Sequence, residues 1–450
     1  MRVASFRSVV TAAALAQLAA APATAQWVVP FSGPGFDSLS EPATDASGAV
    51  YVVGTFQGVV SVAGTLLQAT GERSLALFKL DAAGAPSWAR AVGGEFVGPR
   101  IAVQPDGRAV VAGAFDDEVD FGDGPLFGLT FQYFVAHFDP DGGLRVSSAG
   151  SGGGQTTVDG MGVAADGVVT VAGAFNSTVD LGAGPMTATF NSTNLYVARY
   201  APDGAPLSSF QHGGPPEDHP LDAAVTPDGG VLVAGFFGGR DTNLGGAELA
   251  AGGGSDGFVA SYDAAGGHRW SHGLATPGDE SAMGVAATPD GGAVVVGGFD
   301  DALPLGEGLL SGGEQDGFVV RYDAAGAVLW ARSLSGPGMD ALRGVAVADD
   351  GSVYVGGTFS DSASLAGRSI VSAGGGDIVV ARFTADGELA GILTAGGPGA
   401  DSANTLSVGP SGELYVTGSF EGEAALPGGT LSAAGSTDAF LARLDPADLD

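Results

Sequence analysis

Pro289-Asp290-Gly291-Gly292-Ala293-Val294-Val295-Val296-Gly297-Gly298-Phe299 packs a turn, a strand and a strand end into one short stretch. Proline presets the turn, aspartate bonds the local backbone, and Gly291 supplies the positive φ that closes it. The β-branched run after the turn reads as a strand. The same layout recurs along the chain at Gly54-Thr55-Phe56, Gly113-Ala114-Phe115, Gly173-Ala174-Phe175, Gly235-Phe236-Phe237, Gly357-Thr358-Phe359 and Gly418-Ser419-Phe420. The phenylalanines are 59, 60, 62, 62, 60 and 61 residues apart, and eight residues before each stands a glycine: Gly48, Gly107, Gly167, Gly229, Gly291, Gly351 and Gly412. A fixed period of this size marks a repeat architecture and overrides the two or three domains that 450 residues would otherwise suggest.

Working outward, an apolar run precedes each turn, as at Ile101 to Val103 and Gly344 to Ala348. A third and a fourth strand follow, as in Phe318 to Tyr322, the turn Asp323 to Gly326, and Val328 to Arg332. Each repeat thus supplies about four short strands, the size of one propeller blade. A blade buries its faces only against neighbours, so the expectation is an all-β, seven-bladed β-propeller. The expected blades are 36–94, 95–154, 155–214, 215–276, 277–336, 337–397 and 398–450. The seventh lacks its fourth strand, because the chain runs from Phe440 to Leu444 directly into Asp445-Pro446. The missing strand is expected from the other end. Trp27 leads to Gly33-Pro34-Gly35 with the same spacing that takes Trp330 to Gly336-Pro337-Gly338. Residues 26–35 should therefore complete blade seven and hold 26–450 together as a single domain.

Residues 1–25 carry Arg2 and Arg7, an apolar run from Val9 to Ala21, and Ala23-Thr24-Ala25. That is the layout of a secretory signal peptide cleaved after Ala25, which implies a secreted or periplasmic protein. Cysteine is absent, so stability must come from the core. Fifty acidic residues against 17 basic ones give a formal charge of -33, with Lys79 the one lysine. Such a field repels phosphate, which disfavours nucleic acid and anionic membranes and favours cations or basic partners. No membrane insertion is expected, and the chain reads as a monomer.

The pattern Asp316-Gly317-Phe318-Val319-Val320-Arg321-Tyr322-Asp323, with Asp256-Gly257-Phe258 and Asp438-Ala439-Phe440, resembles the bacterial SBBP-type β-propeller repeats. The resemblance covers nearly all of the mature chain and implies an exported propeller. It brings no shared catalytic motif to map.

Chemistry is sought on the face carrying the second-to-third-strand loops and the blade-to-blade connections, since function goes with longer loops. Asp37, Asp279, Asp340 and Asp401 stand on those connections. Two accounts fit them: convergence on a hard cation such as calcium at the channel mouth, or each aspartate capping its own turn, the plainer reading. Glu217-Asp218-His219 is the one local acid-base cluster and the starting point for any hydrolase or lyase; no nucleophile or oxyanion device accompanies it. Asp139-Pro140-Asp141-Gly142 reads as an ordinary hairpin turn. Phe56 and its counterparts read as packing between blades. No cofactor beyond calcium is suggested. These features point to a non-enzymatic binding or scaffold propeller using its acidic loop face for a protein, a glycan or a cation. The alternative is an extracellular polymer hydrolase or lyase.

Overall fold

The computed structural model describes residues 26–449, apart from 190–191, 215–216, 239, 306–307 and 309–313. The expected leader, 1–25, lies outside the described residues. Among the described residues the chain is nearly all β, with no α-helix and one 3-10 turn at Pro446–Asp448.

Four-strand antiparallel units follow one another. The first comprises Ser38–Leu39 with Ala43–Thr44, Val50–Phe56, Ser74–Leu80 and Pro86–Gly93. The second is Glu95–Val103, Ala109–Asp120, Pro125–Phe138 and Leu144–Ala149. The third is Gly160–Val163, Val169–Asn176, Thr193–Tyr200 and Pro206–His212. The fourth is Asp218–Val225, Val231–Gly238, Ser255–Tyr262 and His268–Leu274. The fifth is Glu280–Ala287, Ala293–Phe299, Asp316–Tyr322 and Val328–Ser335. The sixth is Ala341–Val347, Val353–Phe359, Asp377–Phe383 and Leu389–Ala395. The last contains Ser402–Val408, Leu414–Phe420 and Asp438–Leu444, and its outer strand is Trp27–Ser32, paired through Trp27↔Arg443 to Phe31↔Ala439.

The turns form for the reason read from the sequence. Each repeat glycine from Gly48 to Gly412 has φ between +79° and +86° and donates its N–H to the carbonyl three residues back at 2.8–3.0 Å. Only glycine adopts that backbone without cost.

First strands of neighbouring units lie side by side, and the apolar clusters fall between units rather than within one. One cluster joins Phe31 of the N-terminal strand to Val50, Phe56 and Phe78 of the first unit and to Tyr415 and Leu441 of the last. Phe56, Phe115, Phe175, Phe237, Phe299, Phe359 and Phe420 are all buried, as inter-unit packing requires. The tryptophans fasten outer strands to the next unit. Trp27, Trp88, Trp270 and Trp330 donate Nε1–H to Ala82, Pro140, Ala324 and Ala385 carbonyls at 2.9–3.2 Å. Where tryptophan is replaced by Gly391, Leu449 of the terminal turn fills the space.

Some of the second-to-third-strand connections form hairpins of their own. Val59–Val62 with Thr65–Gln68 forms a hairpin that adds to Trp27–Ser32, and Ser362–Leu365 with Arg368–Val371 adds likewise to Val328–Ser335. The cause is alternation: Val60, Val62 and Leu67 are buried, so one face of the hairpin must dock.

Candidate functional site

The first strands do more than line up. Their registers slip by one residue where they meet the second strand, between Pro220 and Asp222, Ala282 and Gly284, Leu342 and Gly344, and Ala403 and Thr405. A bulge of this kind re-aims the side chains beside it. The re-aimed residues face one cavity of about 440 Å³, lined by Glu41, Arg100, Leu221, Asp222, Met283, Arg343 and Asn404 with their neighbours. Residues from six of the units meet there, so the cavity lies where the first strands face one another. A second cavity of about 350 Å³ shares Leu221 with it and adds Asp159 and His219.

Acid outweighs base in this region. Burial pushes the Glu41 carboxyl up to about 8, the negative Asp222 adds to the rise, and Arg100 opposes it. Asp222 is pushed to about 6 by burial, held down in part by the Val285 and Ala223 amides at 2.8 Å and by Arg100, and raised by Asp159. Asp159 is also raised to about 6 by burial, against a hydrogen bond from Thr157 at 2.5 Å and the charges of Arg100 and His219. Arg100 donates Nε–H to the Asp159 backbone carbonyl at 2.9 Å, which holds its guanidinium among the acids. Burial lowers the Arg343 guanidinium from its usual value. Three buried carboxyls beside two guanidiniums make a polar cavity whose acids are all raised from their ordinary values.

The residues singled out from sequence are placed differently. Asp37, Asp340 and Asp401 are buried at three separate junctions between units, and none lines the 440 Å³ cavity. Asp37 and Asp340 are each pushed up to about 7, by burial first and then by Asp438 and Asp316 respectively. Asp401 accepts the Gly397 and Glu421 amides at 2.7 and 3.2 Å, the capping role read for these aspartates. Asp279 is exposed and accepts the Ser255 amide at 2.8 Å; the buried acid of that junction is its neighbour Glu280. Among the described residues no group of three or more histidines or carboxylates is disposed to hold a metal ion.

Glu217, Asp218 and His219 do not act as one cluster. His219 Nε2 lies 3.2 Å from Glu217 Oε2 and its ring stacks on Phe236. Asp218 points inward, fully buried, and is bonded by Thr242 at 2.7 Å and the Gly214 amide at 3.1 Å. Alternation along the strand separates Asp218 from its two neighbours. Of the three, His219 reaches the axial region, through the cavity it shares with Asp159. Glu217 instead borders a cavity of about 760 Å³ lined by serine and threonine hydroxyls. Asp139–Gly142 is the expected turn, closed by Gly142 N–H to the Asp139 carbonyl at 2.8 Å.

The residues lining this region were not among those singled out above, although the sequence carries a signal for them. Glu41, Arg100 and Asp222 stand 13 residues before Gly54, Gly113 and Gly235, and Asp159 and Arg343 stand 14 before Gly173 and Gly357. Charge at that place interrupts an otherwise apolar first strand. The one-residue difference in offset separates a charge on the bulged residue, as Arg343, from one on the residue after it, as Asp222.

No family model matches the chain. The regulatory protein FlaEY of Caulobacter vibrioides is 33% identical over 144 residues, which are 29% of this chain and 14% of that protein. Among solved structures, puromycin hydrolase is similar over 91% of this chain with 17% identity and a TM-score of 0.46. This chain spans about half of that enzyme, 55% of its length. The β-propeller domain of the Trilobed protease from Pyrococcus furiosus matches over 93% of this chain and 98% of that domain, with 9% identity and a TM-score of 0.46. YCF48 bound to D1 peptide covers 95% of this chain at 11% identity and a TM-score of 0.42. Among the described residues no helix is long and apolar enough to cross a membrane.

Proposed function

We propose that the chain is an exported, non-catalytic binding propeller whose anchor point is the axial cavity, and that its ligand is a partner presenting an ammonium or guanidinium group. The observation that carries this reading is the grouping of Glu41, Asp159 and Asp222 around Arg100, with carboxyls raised first by burial and, for Glu41 and Asp222, by a neighbouring acid. A ligand cation offsets the cost of ionising them there. The net charge of -33 steers such a partner toward the protein.

The architecture in this proposal is one ring of seven blades spanning 26–450. Pairing of Trp27–Ser32 with Asp438–Leu444 supports its closure by the N-terminal strand. The Tyr415 hydroxyl bond to the Gly48 carbonyl at 3.1 Å supports contact between last and first blades. Export rests on the leader at 1–25, and kinship with SBBP-type repeats on the Asp-Gly-Phe pattern. A single closed ring leaves the chain a monomer.

Calorimetric titration with an arginine-rich and a glutamate-rich peptide tests the reading. The basic peptide should bind, and Asp222→Asn should weaken it about tenfold, or about 1.4 kcal/mol. No binding of the basic peptide at low salt refutes the proposal.

A second reading, an extracellular polymer hydrolase or lyase, is favoured by one observation. The cavity brings two carboxyls together, Glu41 and Asp222, both raised by burial, a pairing that acid-base chemistry uses. Turnover of a polysaccharide that vanishes in Glu41→Gln would replace the binding reading with this one.

A further inference from the structure

We propose that the junction joining the two chain ends is a divalent-cation site of the calcium kind, built from oxygens of Asp37, Gly33, Gly35 and Asp438. Asp438 is 0% exposed. One of its oxygens accepts the Ala434 amide at 2.6 Å and the Ser32 hydroxyl, while Oδ1 has no hydrogen-bond partner. Asp37, 4% exposed, stands beside the same loop, with Oδ2 3.1 Å from where a Cβ on Gly33 would lie. No lysine, arginine or histidine forms an ion pair with either acid among the described residues.

Backbone oxygens complete the enclosure. A Cβ on Gly435 would lie 3.0 Å from the Gly33 carbonyl, 3.3 Å from that of Gly35 and 3.4 Å from Asp438 Oδ1. Three oxygens thus lie around one side of Gly435, where a side chain would crowd them. Two buried carboxylates cost several kcal/mol without a counter-charge. A hard cation that takes carboxylate and carbonyl oxygens removes the cost. Two of the ligands are side-chain carboxylates and the others are backbone carbonyls.

The arrangement repeats where the sequence repeats. Gly253 stands in the place of Gly435: a Cβ on it would lie 2.3–2.7 Å from the carbonyls of residues 276–278, and Asp256 Oδ2 is buried and unpartnered nearby. The closure site differs in taking ligands from both ends of the chain, so its ion would tie the ring. This site is separate from the axial cavity, and the two proposals stand or fall independently.

Calcium titration by calorimetry on the full chain, with melting curves in calcium and in chelator, provides the test. The expected result is binding with a Kd on the order of 10⁻⁴ M and a melting temperature several degrees higher in calcium. Asp438→Asn and Asp37→Asn should each reduce the number of bound ions by one. Asp279→Asn, at an exposed acid, should leave it unchanged. Equal melting temperatures and no calcium heat overturn the proposal. So does a melting temperature that rises on acidification from about pH 8 to 6 with no response to calcium, since a proton shared between the carboxyls then explains the pair.

Discussion

Replacing Phe31 by alanine asks whether the N-terminal strand is part of the core. Phe31 is 1% exposed, stacked on Phe78 at 6.0 Å and set edge-on to Phe56 at 6.2 Å. Both partners belong to the first unit, while the backbone of Phe31 pairs with Ala439 in the last. Truncating a fully buried phenylalanine costs about 3–5 kcal/mol, the lost transfer energy plus the cavity left behind. With an unfolding entropy near 2.1 cal/mol/K per residue over roughly 420 residues, about 4 kcal/mol lowers the melting temperature by about 4–5 °C. Scanning calorimetry or urea denaturation reads this directly. Phe36→Ala is the internal control: five residues away and 56% exposed, it should stay within about 0.5 kcal/mol. If Phe31→Ala costs no more than Phe36→Ala, the strand does not clasp the ring.

Two further outcomes are expected. Gly142 has φ +84°, and a Cβ there would sit 2.8 Å from the Trp88 ring, whereas Gly64 at φ +81° has nothing within 4 Å. Gly142→Ala should therefore destabilise by about 1–3 kcal/mol more than Gly64→Ala in urea melts; equal costs would remove the tryptophan clamp from the account. Glu41 has a folded pKa, about 8, above its ordinary 4.5, so the folded state holds the proton more tightly and stability falls as pH rises through that window. Glu41→Gln should match the parent near pH 4.5 and exceed it by on the order of 1–2 kcal/mol at about pH 8.5, after allowance for solvent in the cavity. A variant less stable than the parent at the higher pH contradicts the assignment.

Much of the architecture is written locally. The turn at Pro289 to Gly291, the strand after it and their recurrence follow from proline, glycine and β-branched residues, whose preferences act within a few positions. The orphan strand at Trp27 was legible because repetition supplies a template against which a missing piece shows. The burial of Asp37, Asp340 and Asp401 was not legible, since an aspartate after a Gly-Pro-Gly loop looks solvated until the third-strand acid of the preceding unit, Asp438, Asp316 or Asp377, is set beside it.

The repeat and its strand content are matters of spacing along the chain, and the sequence carries them alone. That Glu41, Arg100, Asp159, Asp222 and Arg343 share one region is set by the fold. Each stands alone in its own repeat, some 60 residues from the next. They meet because first strands from successive units face one another and a bulge turns charged side chains inward. Electrostatic interaction depends on separation in space, and separation along the chain does not report it.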